Sequence, residues 1–292
     1  MNLEYIVTNN KYQNINQILK QEFKISARLQ HKLIISQHVY LNNTPVDTRS
    51  NVSNGDIIKV DLEFKEDNSN IVPTRMNLDI IFEDDSLLII NKPAGITVHP
   101  SILHYEDSLS NGIKFYFDSK NIHKKIRPVN RLDLNTSGLI IFAKNEYVQE
   151  DLIKQMNSGI FKKEYLALVC GNLENNKGII DLPIARKENS IIERCISPDG
   201  QEAITEYEVL QQYSDFLLVH CILKTGRTHQ IRVHFSAIGH PLVGDSLYGK
   251  LSDLIPRQAL HSYKISFIHP ITKQNMSFVS DLPIDIKKVL DL

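Results

Sequence analysis

The 292-residue chain balances 33 lysines and arginines against 34 aspartates and glutamates, and 42% of it is hydrophobic. That is enough apolar material for one substantial core and a small second domain, while a net charge of −1 excludes nucleic-acid binding driven by overall charge. Three widely spaced cysteines, Cys170, Cys195 and Cys221, exclude a disulfide framework or a paired-cysteine zinc site, and no run approaches the ~18 apolar residues of a membrane helix.

The opening "MNLEYIVTNNKYQN" lacks the basic-then-apolar order of a secretion signal, so a cytoplasmic location is expected. Ile15, Ile18 and Leu19 have helical spacing, and a second helix begins after a capping Ser26 with Leu29, Leu33 and Ile34 as its inner face. In "HVYLNNTPVDTRSNVSNGDIIKVDL" a short strand, an Asn42-Asn43 turn, another strand and a Gly55-Asp56 turn lead into a closing strand. "EFKEDNSNIVPTR", from Glu63, is polar and without apolar period, which predicts a linker. The expected division is a small domain over 1–62, a linker over 63–77 and a larger domain over 78–292.

The larger domain opens with a hairpin, Ile80 to Phe82 and Leu87 to Ile90 around Glu83-Asp84-Asp85-Ser86, which Lys92-Pro93-Ala94-Gly95 then breaks. Strands are expected at "LIIFAK", "EYLALVCG", "ITEYEVL" and "DFLLVHCILK". Val148, Leu152 and Met156 mark a helix ending at Gly159, and Ile231, Phe235 and Ile238 mark another that starts from Thr228 as cap and ends at Gly239. This predicts an α+β fold with a large, mixed but mostly antiparallel sheet, preceded by a small α+β module.

In "RPVNRLDLNTSGLIIFAK", extended chain puts Arg131 and Asp133 on one side and Leu132 on the other. The pair fits a reactive loop braced by a sheet, or a structural ion pair at the sheet rim. Arg232 projects from the first turns of the helix after Thr228. His229 and His234, five apart, do not share a helical face, and no glycine-rich phosphate motif occurs, so neither metal nor cofactor is expected. Lys124, Lys125, Arg127 and Arg131, and again Lys224, Arg227 and Arg232, form basic clusters that are either solvated surface or local RNA contacts.

Two resemblances organise these features. The order helix, helix, "VYLNNTPV", "NVSNGDIIKV" resembles the ribosomal-protein-S-four-type RNA-binding module, with Asn42-Asn43 in place of the usual Asn-Gly; a docking or dimerisation domain is the other reading. "LLIINKPAGITVHP", "NRLDLNTSGLIIFAK", "KKEYLALV", "LKTGRTHQIRVHFSAIGHPLVGDSLYG" and "LHS" at Leu260 to Ser262 resemble, in order, the signatures of the RluA family of pseudouridine synthases. One departure is Asn130, where the family usually has histidine.

The family resemblance implies an isomerase that breaks the glycosidic bond of uridine, turns the uracil and rejoins it through carbon, without redox change. It assigns the catalytic carboxylate to Asp133, its cation to Arg232, stabilisation of the extruded nucleotide to Arg131 and base stacking to Tyr165, which the residues alone leave equally readable as a core aromatic. RNA contacts are expected from Arg28, Lys32, Arg227 and His229, with Lys92 and Lys163 as phosphate contacts or surface charges. The expected partner is structured RNA, first large-subunit ribosomal RNA and alternatively transfer RNA, met by a monomer. A non-catalytic RNA-binding assembly factor and, remotely, a glycoside hydrolase are the competing classes, the latter lacking a second carboxylate.

Overall fold

The computed structural model describes residues 1–8 and 11–291. Alternation of Leu3 and Tyr5 with polar neighbours forms strand β1 (Asn2–Ile6), which the sequence reading did not anticipate. Asn14 caps α1 (Ile15–Gln21), and Ser26 caps α2 (Ala27–Ile35) as expected, its hydroxyl accepting from the Leu29 N–H at 3.2 Å. Asn42 and Asn43 both take positive φ, 50° and 67°, and so join β2 (Val39–Leu41) to β3 (Thr44–Pro45) through a mirror-image turn. β4 (Ile57–Asp61) completes a four-stranded sheet in the order β1-β4-β2-β3. Ile15, Ile18, Leu19, Leu29, Leu33, Ile58 and Val60 fill the space between sheet and helices. Ile34, expected in that inner face, is only partly covered.

The polar stretch after β4 has no helix or strand, yet it is fastened down. The Glu66 carboxylate accepts from Arg127 at 2.6 Å and from Lys32 at 3.0 Å. Asn68 bonds the Lys124 carbonyl at 2.8 Å and the Ile126 N–H at 2.9 Å, and Ile71 is buried. Its polarity is that of a strap with its own partners, not of a free spacer.

Beyond it run β5 (Ile80–Glu83), β6 (Leu87–Lys92), α3 (Leu109–Ser119), β7 (Arg127–Pro128), β8 (Ser137–Ala143), α4 (Glu146–Asn157), β9 (Lys162–Cys170) and β10 (Lys177–Asp181). There follow β11 (Ile184–Arg186), β12 (Arg194–Ile196), β13 (Ile204–Gln212), β14 (Phe216–Leu223), α5 (Gln230–Ala237), β15 (Leu260–Ile268), β16 (Asn275–Val279) and α6 (Ile284–Leu290). Ten strands make one sheet, β10-β13-β14-β9-β15-β8-β6-β5, with β16 beside β15 and β7 beside β8, while β11 and β12 form a separate hairpin. All its pairings are antiparallel except β8 with β15, where Ser137 and Gly138 face His261 and Ser262. A Cβ at Gly138, φ +109°, would stand 2.3 Å from the Ser262 carbonyl oxygen, so only glycine lets the two halves of the sheet touch there.

The uninterrupted apolar run of β8 is explained by cover on both faces. Leu139, Ile141 and Ala143 face Val148 and Leu152 of α4 in a core continuous with the N-terminal module. Ile140 and Phe142 face the other way, with Ile113 and Phe117 of α3 and Ile231 and Phe235 of α5. The start of α5 departs from expectation. Its cap is His229, in the left-handed region at φ 60°, not Thr228. No side chain caps its first turn; the Gln230 side chain instead braces the preceding turn, accepting from the Arg227 N–H at 2.9 Å. Ile238, expected inside, is at the surface. Among the described residues no helix is long and apolar enough to cross a membrane.

Candidate active site

The chain leaves Pro128 extended and turns at Asp133, whose carbonyl accepts from the Thr136 N–H at 3.1 Å before β8 begins. Leu132 is buried and Arg131 exposed, as their alternation requires. Lys92 holds this loop from below. Its ammonium donates to the carbonyls of Pro93 and Ile96 at 2.8 Å each and of Leu134 at 3.0 Å. Lys92 is fully buried, and burial draws its pKa down to about 7 against the pull of Asp133. Its expected phosphate contact is thereby corrected: all three donors are spent on backbone, and no phosphate can reach them.

Arg232 stands 3.2 Å from the Asp133 carboxylate through Nη1, while its Nε and Nη2 grip both oxygens of Asp245 at 2.7 and 2.8 Å. Asp245 is fully buried and also accepts from the N–H groups of Leu247 and Tyr248 at 3.0 and 3.2 Å. Burial alone would raise the Asp245 carboxyl, but the Arg232 guanidinium holds it below the usual carboxylate range. The guanidinium face rests 5.0 Å from the centre of the Tyr248 ring. Its fork is thus fixed on three sides with one nitrogen left for Asp133.

An open cleft of about 490 Å³ lies over this pair, within the ~300–1,000 Å³ usual for ligand pockets. Arg131, Asp133, Lys163, Tyr165, Arg227, His229 and Arg232 all line it, so seven of the residues singled out in the sequence converge there. Tyr165 is buried, and burial pushes its phenol well above the ordinary tyrosine value, so it is a neutral hydroxyl. His229 Nε2 lies 3.8 Å from Asp133, its Nδ1 bonded to the Tyr248 hydroxyl at 2.7 Å, and burial lowers its pKa. Burial, with the charge of Arg227 added, brings the Lys163 pKa down to about 8, and no carboxylate among the described residues pulls against them. A Cβ at Gly226 would come within 3.0 Å of the Lys163 Nζ, so that glycine makes room for the amine.

The two helix-borne cations of the small module lie elsewhere. Lys32, expected to contact RNA, sits at the seam with the larger domain: its ammonium pairs with Glu66 at 3.0 Å and Glu146 at 3.2 Å, and its Nζ rests 4.4 Å above the Phe64 ring. Arg28 remains almost wholly in solvent, 3.5 Å from Glu146. Asn130, at the departure from the family pattern, is buried, accepting from the Ile141 N–H at 2.9 Å and donating to the Leu139 carbonyl at 3.3 Å, so it ties the loop to β8. Asp245 and Tyr248 escaped the sequence reading. Their signal was "GDSLYG", where Gly244, at φ 74°, passes so close to the Arg257 and Ile255 carbonyls that no side chain fits.

A carboxylate beside a clamped guanidinium, in a cleft that a buried tyrosine and several cations also line, on a mixed sheet, is the arrangement expected of the pseudouridine synthase class of isomerases. Residues 86–237 match the family model described as RNA pseudouridylate synthase, and the chain belongs to that family. Residues 3–58 match the model of the RluD ribosomal pseudouridine synthase N-terminal domain. Among curated relatives, the uncharacterized RNA pseudouridine synthase YjbO of Bacillus subtilis (strain 168) is 39% identical over 86% of this chain and 88% of its own. The ribosomal large subunit pseudouridine synthase D of Nitrosomonas europaea is 36% identical over 86% of this chain and 76% of its own. Human RNA pseudouridylate synthase domain containing 1 superposes with a TM-score of 0.58 at 26% identity, over 70% of this chain and 83% of that one.

Proposed function

We propose that this chain converts particular uridines of large-subunit ribosomal RNA to pseudouridine, with Asp133 as the acting carboxylate. Relatives named for the large ribosomal subunit, and the match of residues 3–58 to the N-terminal domain of such an enzyme, support that RNA over transfer RNA. The observation that carries the chemistry is the 3.2 Å contact between Asp133 and an Arg232 already held by Asp245.

The reaction exchanges an N1–C1′ bond for a C5–C1′ bond and moves one proton from C5 to N1, so it needs a group that acts on the sugar and a surface on which the base can turn. Asp133 acts on the ribose as nucleophile or base, and Arg232 offsets charge that shifts during bond cleavage. The neutral Tyr165 gives the uracil a flat face and a hydroxyl. Arg131, on the exposed side of the loop, meets the nucleotide that has left its stack. Lys163 and Arg227, close together without an acidic partner, receive phosphate. The N-terminal module adds a tethered second contact through faces such as that of Arg28. The enzyme works as a cytoplasmic monomer, with residues 1–62 and 78–292 as its two domains.

The test is Asp133→Asn in a purified assay on unmodified large-subunit transcript. Turnover should fall by at least about a thousandfold with RNA affinity nearly unchanged, and wild-type turnover would refute the assignment. Mapping pseudouridines in cells with and without the gene identifies the RNA; losses confined to transfer RNA would overturn the ribosomal reading.

A further inference from the structure

His229 lines the cleft beside Asp133 and is held more firmly than a surface contact needs. It sits in the left-handed region at φ 60°, which an L side chain occupies at an energetic cost. The turn that carries it is braced by the buried Gln230. That side chain's oxygen accepts from the Thr225 hydroxyl at 2.8 Å and the Arg227 N–H at 2.9 Å, and its amide donates to the Ile204 carbonyl at 3.0 Å. The imidazole is 14% exposed.

The hydrogen bonds that reach it run one way. The Arg194 N–H, which can only donate, gives to the Tyr248 phenol oxygen at 2.9 Å. Burial raises the Tyr248 pKa, so the phenol keeps its own hydrogen, and His229 Nδ1, 2.7 Å away, is its one acceptor among the described residues. Nδ1 is therefore the bare nitrogen and Nε2 carries the proton. Burial lowers the His229 pKa, with Arg232 and Arg194 added, against the pull of Asp133 and Asp245, so the ring is neutral. Nε2 stands 3.8 Å from Asp133. That is about 1 Å beyond a hydrogen bond, a gap of the kind that closes when substrate fills a site. The atom it faces is Oδ2, the same oxygen that Arg232 Nη1 reaches at 3.2 Å. Oδ1 receives no hydrogen bond among the described residues, while the Asp133 side chain remains 24% exposed.

We propose that His229 is a positioning residue: its Nε2–H, fixed by the Tyr248 hydroxyl, closes on Oδ2 of Asp133 together with Arg232 and so leaves Oδ1 as the oxygen that meets the ribose. The proposal rests on the reading that Asp133 acts on uridine. A carboxylate held by two donors through one oxygen keeps the other aimed. A neutral donor does this without a second positive charge, which would make Asp133 a weaker nucleophile or base. His229 therefore acts on turnover and not on RNA affinity.

The experiment measures tritium release from an unmodified large-subunit transcript labelled at C5 of uridine, with intact enzyme. His229→Leu should lower kcat at least about tenfold and leave KM within about twofold. His229→Gln, which restores an N–H, should recover turnover to within about threefold of wild type. Leucine and glutamine meet the same left-handed backbone, so the difference between them reads the donor alone. Tyr248→Phe, which keeps the ring over Arg232, should lose part of kcat, and adding it to His229→Leu should cost nothing further. In wild-type enzyme the imidazole 15N resonances of His229 should show Nε2 protonated and Nδ1 bare. Wild-type kcat in His229→Leu overturns the proposal, as does equal loss in the glutamine variant, which would make the residue structural. A rise in KM with kcat unchanged also overturns it and makes His229 an RNA contact. A proton on Nδ1 overturns the tautomer without any assay of turnover. A wild-type enzyme that releases no tritium refutes the uridine reading itself, and the role given to Oδ1 with it.

Discussion

Asp245 decides where the Arg232 guanidinium can point, because it occupies two of its three nitrogens and leaves Nη1 for Asp133. Replacing one partner of a buried pair leaves the other charge uncompensated, so Asp245→Asn should lower the unfolding free energy by about 3 kcal/mol in urea titration and depress turnover together. Asp133 is more open to water, and Asp133→Asn should cost less than about 1 kcal/mol while removing activity. Comparing the two variants separates holding from reacting. Lys163 makes a second prediction. An amine with its pKa near 8 is charged below that value, so RNA affinity should be full at pH 7 and decline as pH rises past 8; filter binding on Lys163→Met should lose that decline. Arg131 and Asp133 could be read from sequence because alternation fixes their side, whereas Lys92 could not: nothing in K-P-A-G reveals that three carbonyls will converge on its amine.

Helix α2 shows how pattern and partner diverge. Its cap and its inner face were readable from Ser26, Leu29 and Leu33, but the destination of Lys32 depends on Glu66 and Glu146, which lie far along the chain. The strap after β4 was equally opaque, since its polar residues look the same whether solvated or paired. Its pairing is testable by pH. Burial would raise the Glu66 carboxyl, yet Arg127 and Lys32 bring it down to about 2. A depressed carboxylate contributes stability above its unfolded pKa, near 4.5, and loses it as pH falls toward 2. Between pH 5 and pH 3 wild type should therefore lose about 1–2 kcal/mol more than Glu66→Gln, measured by urea unfolding, with protease cleavage of the strap rising in parallel. Strand β1 leaves a faint trace in the sequence, because Leu3 and Tyr5 are the whole of its inward alternation.

The near-zero net charge means that RNA is attracted by the cleft and not by the protein as a body. With Arg131, Lys163 and Arg227 as its free cations, log affinity against log salt should have a slope of about −2, reduced by about 0.7 in Lys163→Met. A steep slope near −6 would instead point to basic contacts beyond the cleft. The mixed sheet and its antiparallel bias followed from strand order, but the parallel meeting of β8 with β15 did not, because it hinges on a single bare glycine.

That meeting point has a temporal meaning. The strands of the large sheet that precede Gly138, β5 to β7, belong to one side of it and come with Asp133, whereas Arg232 lies 99 residues further along, on the side that Ser262 later joins. A nascent chain that has emerged only through β8 exposes an acid with no counter-ion and no floor beneath it. Competence therefore arrives late in translation, when the C-terminal half closes over the first, and an unfinished polypeptide carries the acid without the rest of its site.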